Sequence, residues 1–361
     1  MPKARGERGC CDRCAGATGA AAARAGAPGT AHAARIARRR LLKEALFQPP
    51  AGQAAGRLAR GDFPDLSHLP RAVTGTVLDV SPHVLVLGEV DGRPGPERRL
   101  TLSSETTTWR GGPLEPTALR QGERAVVRLH PSRHTVADRI WAGIGRVTGT
   151  IIEHTSEYLV VNEGATRPLQ IVVIPPGAAC RIEVRFPILA PGYLIDVIGL
   201  RGSDALEGLI PATSQPAYPA DRLPVPPLVS GHVPAAISGS ATWHEPAGEP
   251  PGALGVAYPA LDPEAGCAAD AMASGGRDRG YARMPYLSVG STLLVRNDCN
   301  GASCALPVTG CALVARLFND RCVTCGTSPR GRVADLTEAS FVALGGELDR
   351  GCFNATITMG R

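Results

Sequence analysis

The sequence predicts an all-β protein built from several small domains. Glycine and proline, with 43 and 32 copies, make up about a fifth of the 361 residues, while aromatic residues are only 4%. This composition is typical of many turns and short strands rather than long helices. A five-residue pattern also recurs along the chain, as it does in repeated β-units. No window approaches the ~18 consecutive apolar residues of a membrane span, so no transmembrane segment is expected.

Positive charge is concentrated at the N-terminus. Residues 1–60 hold 12 Lys and Arg against 3 Asp and Glu, so the rest of the chain is slightly acidic although the net charge is +5. A folded nucleic-acid-binding domain places its basic residues on a structured face. This segment is instead rich in Ala, Gly and Arg, which predicts a largely disordered basic tail over residues 1–68. No nucleic-acid partner is therefore expected.

Residues 69–143 and 144–210 are predicted to be two copies of one small β-unit. Val-Thr-Gly-Thr-Val at residues 73–77 recurs as Val-Thr-Gly-Thr-Ile at residues 147–151, and an apolar strand follows each copy. Each copy also closes with a glycine before a β-branched run, at Gly122 and Gly192. A barrel of about five strands fits this length, so two OB-like barrels are the predicted architecture. No functional site follows from either copy.

A proline-rich linker over residues 211–235 precedes the last predicted domain, residues 236–361. Strands are predicted within that domain at Leu293–Arg296, Cys311–Phe318 and Phe353–Met359. A short helix is predicted to begin at Asp335, because the spacing from Asp335 to a glutamate three residues later is that of a capping box. The pair Gly345-Gly346 is expected to end this helix.

Several stretches of the last domain follow one another in a distinctive order: Asn319–Cys325, Gly331–Thr337, Ala339–Phe341, Leu344–Gly346 and Leu348–Gly351. Together they resemble the second half of the double-psi β-barrel of rare lipoprotein A-like, expansin and barwin proteins. Upstream, Ala-Thr-Trp-His at residues 241–244 and Leu-Ser-Val-Gly-Ser at residues 287–291 are similar to a strand and a turn of the same proteins. The resemblance covers roughly the last 125 residues and implies a six-stranded double-psi β-barrel.

This resemblance implies a cell-wall polysaccharide as partner, lying in a groove across the barrel. Members of these families either cleave glycan or loosen it without cleavage. Asp320 matches the aspartate of the Asn-Asp-Arg motif in the rare lipoprotein A-like branch, and Asp335 matches that of His-Phe-Asp in family 45 endoglucanases and expansins. These two are the candidate catalytic residues, for a lytic transglycosylase or a glycoside hydrolase. Val333-Ala334 replaces His-Phe and Met284 falls where the lytic branch has a histidine, which favours binding over cleavage.

The candidate substrate-binding residues combine flat rings with members of the matched motifs, since exposed aromatic rings suit glycan binding. Trp243 and His244 belong to the matched strand, and Arg321 belongs to the matched Asn-Asp-Arg motif. Tyr281 and Tyr286 lie in loop-like sequence before the strand predicted at residue 293. No metal and no cofactor is expected.

Seven of the eleven cysteines fall in the last domain, and they are predicted to form disulfides: Cys267, Cys299, Cys304, Cys311, Cys322, Cys325 and Cys352. Dense disulfides indicate an oxidising compartment, so a secreted or cell-envelope location is expected, although no clear export signal is visible. The connectivity stays open. As an alternative, Cys299-x4-Cys304 followed by Cys322-x2-Cys325 approximates two zinc knuckles.

The sequence therefore predicts a modular envelope or secreted protein that binds cell-wall polysaccharide, with remodelling through Asp320 and Asp335 as a further possibility. The alternative is an intracellular, zinc-stapled β adaptor without catalysis. The glycan, the role of the repeats and the oligomeric state are left open.

Overall fold

The computed structural model describes residues 71–88, 97–164, 167–222, 236–246, 249–250, 252–259, 285, 287–312 and 331–359. Within these ranges the chain is predominantly β, with eighteen strands and two short α-helices. The strands form one seven-stranded sheet and two closed barrels, which confirms the predicted β class. Over the same ranges, no helix has the length and apolar character needed to cross a membrane.

The first region, the sheet, contains strands β1 to β7. Their bounds are β1 Ala72–Val80, β2 Val84–Gly88, β3 Arg98–Thr101, β4 Thr107–Trp109, β5 Pro113–Leu114, β6 Arg124–His130 and β7 Arg133–Ala142. The strand order is β3-β2-β1-β6-β7-β4-β5. In addition, β3 pairs in parallel with β7 through Thr101 and Val136. The two ends of the run from β3 to β7 therefore meet.

The second region is a closed five-stranded barrel with one helix. Its elements are β8 Ile144–His154, β9 Leu159–Asn162, β10 Gln170–Val173, α1 Pro176–Arg185, β11 Leu194–Arg201 and β12 Ala205–Pro211. The order around the barrel is β10-β12-β11-β8-β9, and β10 and β12 are parallel. Pro176 starts α1, where its missing N–H costs nothing. Ile182 of this helix packs into the barrel core.

The glycines of the sequence repeat take matched positions in the two regions. Gly75 and Gly149 lie where a Cβ atom would come within 2.7 and 2.3 Å of the next strand, so the close approach of the strands requires glycine. Gly122 and Gly192 have φ angles of 86° and 87°, which favour glycine. Each donates its N–H at 2.8 Å to the carbonyl of the last residue of the five-residue pattern. The two copies therefore share backbone geometry as well as sequence.

The third region is a closed six-stranded barrel. Its elements are β13 Ala236–His244, β14 Val256–Tyr258, β15 Thr292–Asn297, β16 Ser303–Cys311, β17 Arg332–Thr337, α2 Glu338–Ala343 and β18 Cys352–Met359. The order around the barrel is β13-β17-β14-β16-β15-β18. The pairs β13–β17 and β14–β16 are parallel, and the other neighbours are antiparallel.

The strand predicted at Cys311–Phe318 stays a prediction, because β16 ends at residue 311 and residues 313–330 lie outside the described ranges. The prediction for Asp335 is wrong. Asp335 does not begin the helix but lies inside β17, because pairing with β13 continues to Thr337. Thr337 is the N-cap of α2, and its Oγ1 accepts a hydrogen bond from the N–H of Ser340 at 3.3 Å. Tertiary pairing thus outweighs the capping-box pattern.

One apolar core joins the three regions. Trp109 and Trp141 of the first region and Ile144 and Ile198 of the second pack in the same cluster as the inward side chains of the third. Thr213, in the segment predicted as a linker, is also buried, with 4% of its surface exposed. The regions therefore share an apolar core, and a polar group placed within it needs a partner.

Candidate functional site

The candidate site lies at the ends of two parallel strands of the third region. Strands β13 and β17 pair Thr242 with Asp335 and His244 with Thr337. Thr242 Oγ1 donates a hydrogen bond to Asp335 Oδ1 at 2.8 Å. The other carboxylate oxygen of Asp335 lies 3.6 Å from Nδ1 of His244. The structure thus brings together two of the residues predicted from sequence.

A second carboxylate lies on the other side of the His244 ring. Nε2 of His244 is 3.8 Å from Oε1 of Glu249, a residue that is 5% exposed. Both distances exceed the length of a hydrogen bond, so the contacts are electrostatic. His244 is itself 8% exposed. An almost buried imidazole therefore lies between two carboxylates.

The protonation states of His244 and Asp335 follow from opposing effects. Burial would lower the pKa of His244, but the attractions of Asp335 and Glu249 together outweigh burial and raise it above its usual range. Burial would raise the pKa of Asp335, but the charges of His244 and Arg332 hold it well below its usual range. At neutral pH Asp335 is a carboxylate that accepts but does not donate. His244 is therefore the proton carrier of the pair.

The second region holds the end of β13 that carries His244. The next residue, Glu245, accepts hydrogen bonds on its carboxylate from the backbone N–H of Arg146 at 2.6 Å and from Arg201 Nη2 at 2.5 Å. Its backbone carbonyl accepts one from Arg167 Nη2 at 2.8 Å. Three groups of the second barrel thus fix Glu245, and the position of His244 depends on both barrels.

A separate ionic cluster lies deeper in the same junction. Asp196 is fully buried and accepts a bidentate pair from Arg146, at 2.8 and 2.7 Å, and a third bond from Arg332 at 2.6 Å. The hydroxyls of Thr148 and Thr213 donate to it at 2.7 and 2.8 Å. Burial would raise the pKa of Asp196, but the two guanidinium groups lower it to about 2. This cluster joins the second and third regions.

Trp243 is a core residue, which corrects its prediction as a substrate contact. Its ring is 1% exposed, and its Nε1 donates to the Leu348 carbonyl at 2.8 Å. The guanidinium of Arg146 lies 5.7 Å from the ring centroid, so no face of the ring is available to a sugar. The remaining predicted residues lie outside the described ranges: Tyr281, Tyr286, Asp320 and Arg321.

The cysteine predictions are corrected in part. Cys304 and Cys352 are buried thiols, so assigning them to disulfides is wrong. Cys304 belongs to the apolar core, where burial raises its pKa to about 11. Cys299 and Cys311 are disulfide-bonded, but no disulfide joins two cysteines that both lie in the described ranges, and Cys267, Cys322 and Cys325 lie outside them. In the described part of the chain, no group of three or more potential ligands is arranged to hold a metal.

Sequence reasoning missed the partners that the second region supplies. Arg167 and Glu163 lie 3.5 Å apart, and burial raises the pKa of Glu163. Both are distant in sequence from the matched motifs, and neither belongs to a local pattern. The sequence also gave no indication that Glu249 belongs to the site. Glu245 could have been predicted, because it directly follows the matched strand that ends at His244.

Comparisons with known proteins do not assign this chain to a family. The chain matches no protein-family model, and no curated protein is similar to it in sequence. The fold and the site therefore define a class only: a predominantly β protein with closed barrels and a buried acid–base pair where two barrels meet.

Proposed function

We propose that the protein binds cell-wall polysaccharide through its six-stranded barrel, which we assign to the double-psi type. The sequence resemblance supports this assignment, because the matched residues 241–244 and 331–351 fall on β13, β17 and α2 and on the turn that leads into β18. The two parallel strand pairs support it as well. The observation that carries the proposal is the pairing of His244 with Asp335 at the ends of neighbouring parallel strands.

The first two regions act as OB-like units that support this barrel. In each, the third and the last strand of the five-stranded run are parallel, as β3 with β7 and β10 with β12. In the second region a helix connects the third and fourth strands of the barrel. Matched glycines and a matched register support a common origin for the two units. Their role is to hold the third barrel at a fixed position.

The His244–Asp335 pair is suited to binding hydroxyl groups at the edge of the third barrel. The side chain of Asp335 is 19% exposed, more than that of His244 or Glu249. A sugar hydroxyl that reaches this edge can donate to the carboxylate, and hydrogen bonds to charged groups are stronger than neutral ones. Asp335 is therefore the contact residue, and His244 behind it keeps the carboxylate ionised.

The geometry favours binding over cleavage by these two carboxylates. An inverting glycosidase keeps its carboxyl groups about 6.5–9.5 Å apart so that a water fits between them. Here the imidazole of His244 fills the space between Asp335 and Glu249. Asp335 also has too low a pKa to donate a proton at neutral pH. Remodelling would need His244 as proton donor, or Asp320.

The test of binding is a pull-down of the purified full chain on purified peptidoglycan sacculi. We expect Asp335→Asn to weaken binding by about 10-fold or more, because a hydrogen bond to a charged group contributes about 1.5–3 kcal/mol. The matched control is Asp79→Asn, since Asp79 is an exposed aspartate on β1, and it should leave binding unchanged. Wild-type protein that does not bind sacculi would contradict the proposal.

The test of cleavage analyses the soluble products that the protein releases from the same sacculi. We expect wild type to release no muropeptides with an anhydro end. If such products appear and Asp320→Asn lowers the rate of their release by ~10²–10⁴-fold, the typical contribution of general acid–base catalysis, the protein is a lytic enzyme.

Stoichiometric zinc, together with cysteines that alkylate without reductant, would instead favour the intracellular zinc-stapled adaptor over an envelope or secreted location.

A further inference from the structure

Arg167 reaches from the second barrel to the candidate site of the third. It follows β9 in the chain, and its Nη2 donates to the backbone carbonyl of Glu245, the residue after His244. Its Nη1 lies 3.5 Å from the carboxylate of Glu163. The guanidinium is thus held from both sides. Its positive charge acts on His244 and on the two carboxylates that flank it, Asp335 and Glu249.

We propose that Arg167 is a positioning residue of the site: its fixed guanidinium, delivered by the second barrel, limits how tightly the two carboxylates hold the proton of His244. This inference deepens the proposed function, on which its consequence for glycan rests. The site then belongs to two barrels rather than to one, and the second barrel sets the charge of the group behind the glycan-contacting carboxylate.

Charged residues from several elements surround His244. In the described part of the chain they come from every element packed around it: Asp335 and Arg332 from β17, Glu245 and Glu249 after β13, Glu163 and Arg167 after β9, Arg201 from β11, and Arg146 from β8. Arg146 and Arg332 are bound to Asp196 and act on Asp335, and Arg201 is bound to Glu245. Arg167 is the arginine that hydrogen-bonds the residue after His244 and whose charge acts on His244 itself.

The effect of Arg167 on His244 has a definite sign. Two carboxylates favour the imidazolium, so by themselves they would make its proton difficult to release. A cation nearby disfavours the imidazolium, and the charge of Arg167 does lower the pKa of His244. The same guanidinium interacts favourably with Asp335 and Glu249. Arg167 thus opposes the attraction of the two carboxylates for the proton of His244.

The experiment measures the pKa of His244 in the full chain by NMR. Histidine is labelled at Cε1, and the His244 signal is assigned by its loss in His244→Gln. In Arg167→Gln, which keeps a donor for the Glu245 carbonyl but removes the charge, we expect the pKa of His244 to rise. Arg167→Lys, which keeps the charge, should restore the wild-type titration. Arg181→Met is the control, because Arg181 is exposed on α1 of the same barrel.

A titration of His244 that is unchanged in Arg167→Gln, or that moves to lower pH, would overturn the proposal. If Arg167→Gln does not fold, as judged by circular dichroism, Glu163→Gln serves as the second variant. It removes the anion that offsets Arg167, so the pKa of His244 should fall, and no change would again overturn the proposal.

Sacculus binding is measured on the same variants to separate the two proposals. If wild type fails to bind sacculi while the titration of His244 shifts as expected, the proposed function is wrong and the role of Arg167 stands. If wild type binds and the titration does not shift, the reverse holds. If both stand, the pH profile of sacculus binding should move in Arg167→Gln in the same direction as the pKa of His244.

Discussion

The two ionic clusters at the junction of the second and third barrels differ in how completely they are satisfied. Asp196 receives five hydrogen bonds of 2.6–2.8 Å from two arginines and two threonines. His244 instead lies 3.6 and 3.8 Å from its two carboxylates, and its Nδ1 makes no hydrogen bond among the described residues. One cluster is tight and fully buried, and the other is loose and reaches the surface at Asp335.

This difference indicates different roles for two clusters made from the same residue types. A buried charge that is fully hydrogen-bonded fixes the fold but has no capacity left for a ligand. A loosely held imidazole can gain or lose a proton, and a carboxylate at the surface can accept a new donor. Incompletely satisfied buried groups in native proteins often mark function. The Asp196 cluster is therefore structural, and the His244 cluster is the better candidate site.

The largest expected effect comes from breaking the tight cluster. Asp196→Asn leaves Arg146 and Arg332 buried without their counter-charge, and removing one partner of a buried pair typically costs about 3–5 kcal/mol. We expect a loss of this size in the free energy of unfolding, measured by urea denaturation. The exposed Asp79→Asn is the control and should stay within about 0.5 kcal/mol of wild type. A loss below about 1 kcal/mol in Asp196→Asn would show that the Asp196 cluster does not stabilise the fold as a buried ion pair.

A smaller effect is expected on the acid side of the stability profile. The pKa of Asp196 is about 2 in the folded state against an ordinary value of 3.8. The depressed pKa means that its stabilisation is present above about pH 4 and is lost as pH falls toward 2, by about 2 kcal/mol in total. The free energy of unfolding of wild type should therefore converge toward that of Asp196→Asn over this range. Asp335 is present in both proteins, so its own titration cancels.

Much of the fold was predictable because its determinants are local. The repeat was visible in sequence since a glycine is needed wherever two strands approach too closely for a Cβ, as at Gly75 and Gly149. Gly122 and Gly192 mark the same left-handed position in both copies. Such backbone requirements can be recognised in the sequence as glycines at fixed positions. The helix α2 also ends where Gly345-Gly346 predicted.

The sequence was misleading where tertiary pairing overrides a local pattern. The capping-box spacing at Asp335 is present, but parallel pairing keeps this residue in β17. Trp243 resembles a sugar-binding ring in a matched motif, yet it is 1% exposed in the core of the third region, with Arg146 of the second barrel over its ring. No pattern within the motif indicates this burial.

The site was predictable only in part for the same reason. His244 and Asp335 follow from the order of the motifs, whereas Arg167 and Glu163 come from another barrel and are joined to them by a long-range contact alone. A single sequence contains no spacing rule for such contacts. The barrel junction, and not the motif, decides which charges surround the imidazole.

The smallest expected effect concerns the loose cluster, and it has the opposite sign in pH. The pKa of His244 is raised in the folded state above its ordinary value of 6.5. Its stabilisation is therefore fully present below about pH 6.5 and is lost as pH rises through the folded pKa. We expect the difference in unfolding free energy between wild type and His244→Gln to be largest below pH 6.5 and to decline above it. His154→Gln, at an exposed histidine on β8, controls for replacing a histidine as such.

The same measurement in an Asp335→Asn background identifies the cause of that decline. Asp335 supplies the main attraction for the imidazolium, so the alkaline decline should shrink when its charge is removed, whereas the acid-side loss from Asp196 should persist. The two limbs of the profile would then be assigned to two clusters in one junction. A difference between wild type and His244→Gln that grows with rising pH would instead mean that the fold holds His244 neutral, and the acid–base pair would not exist.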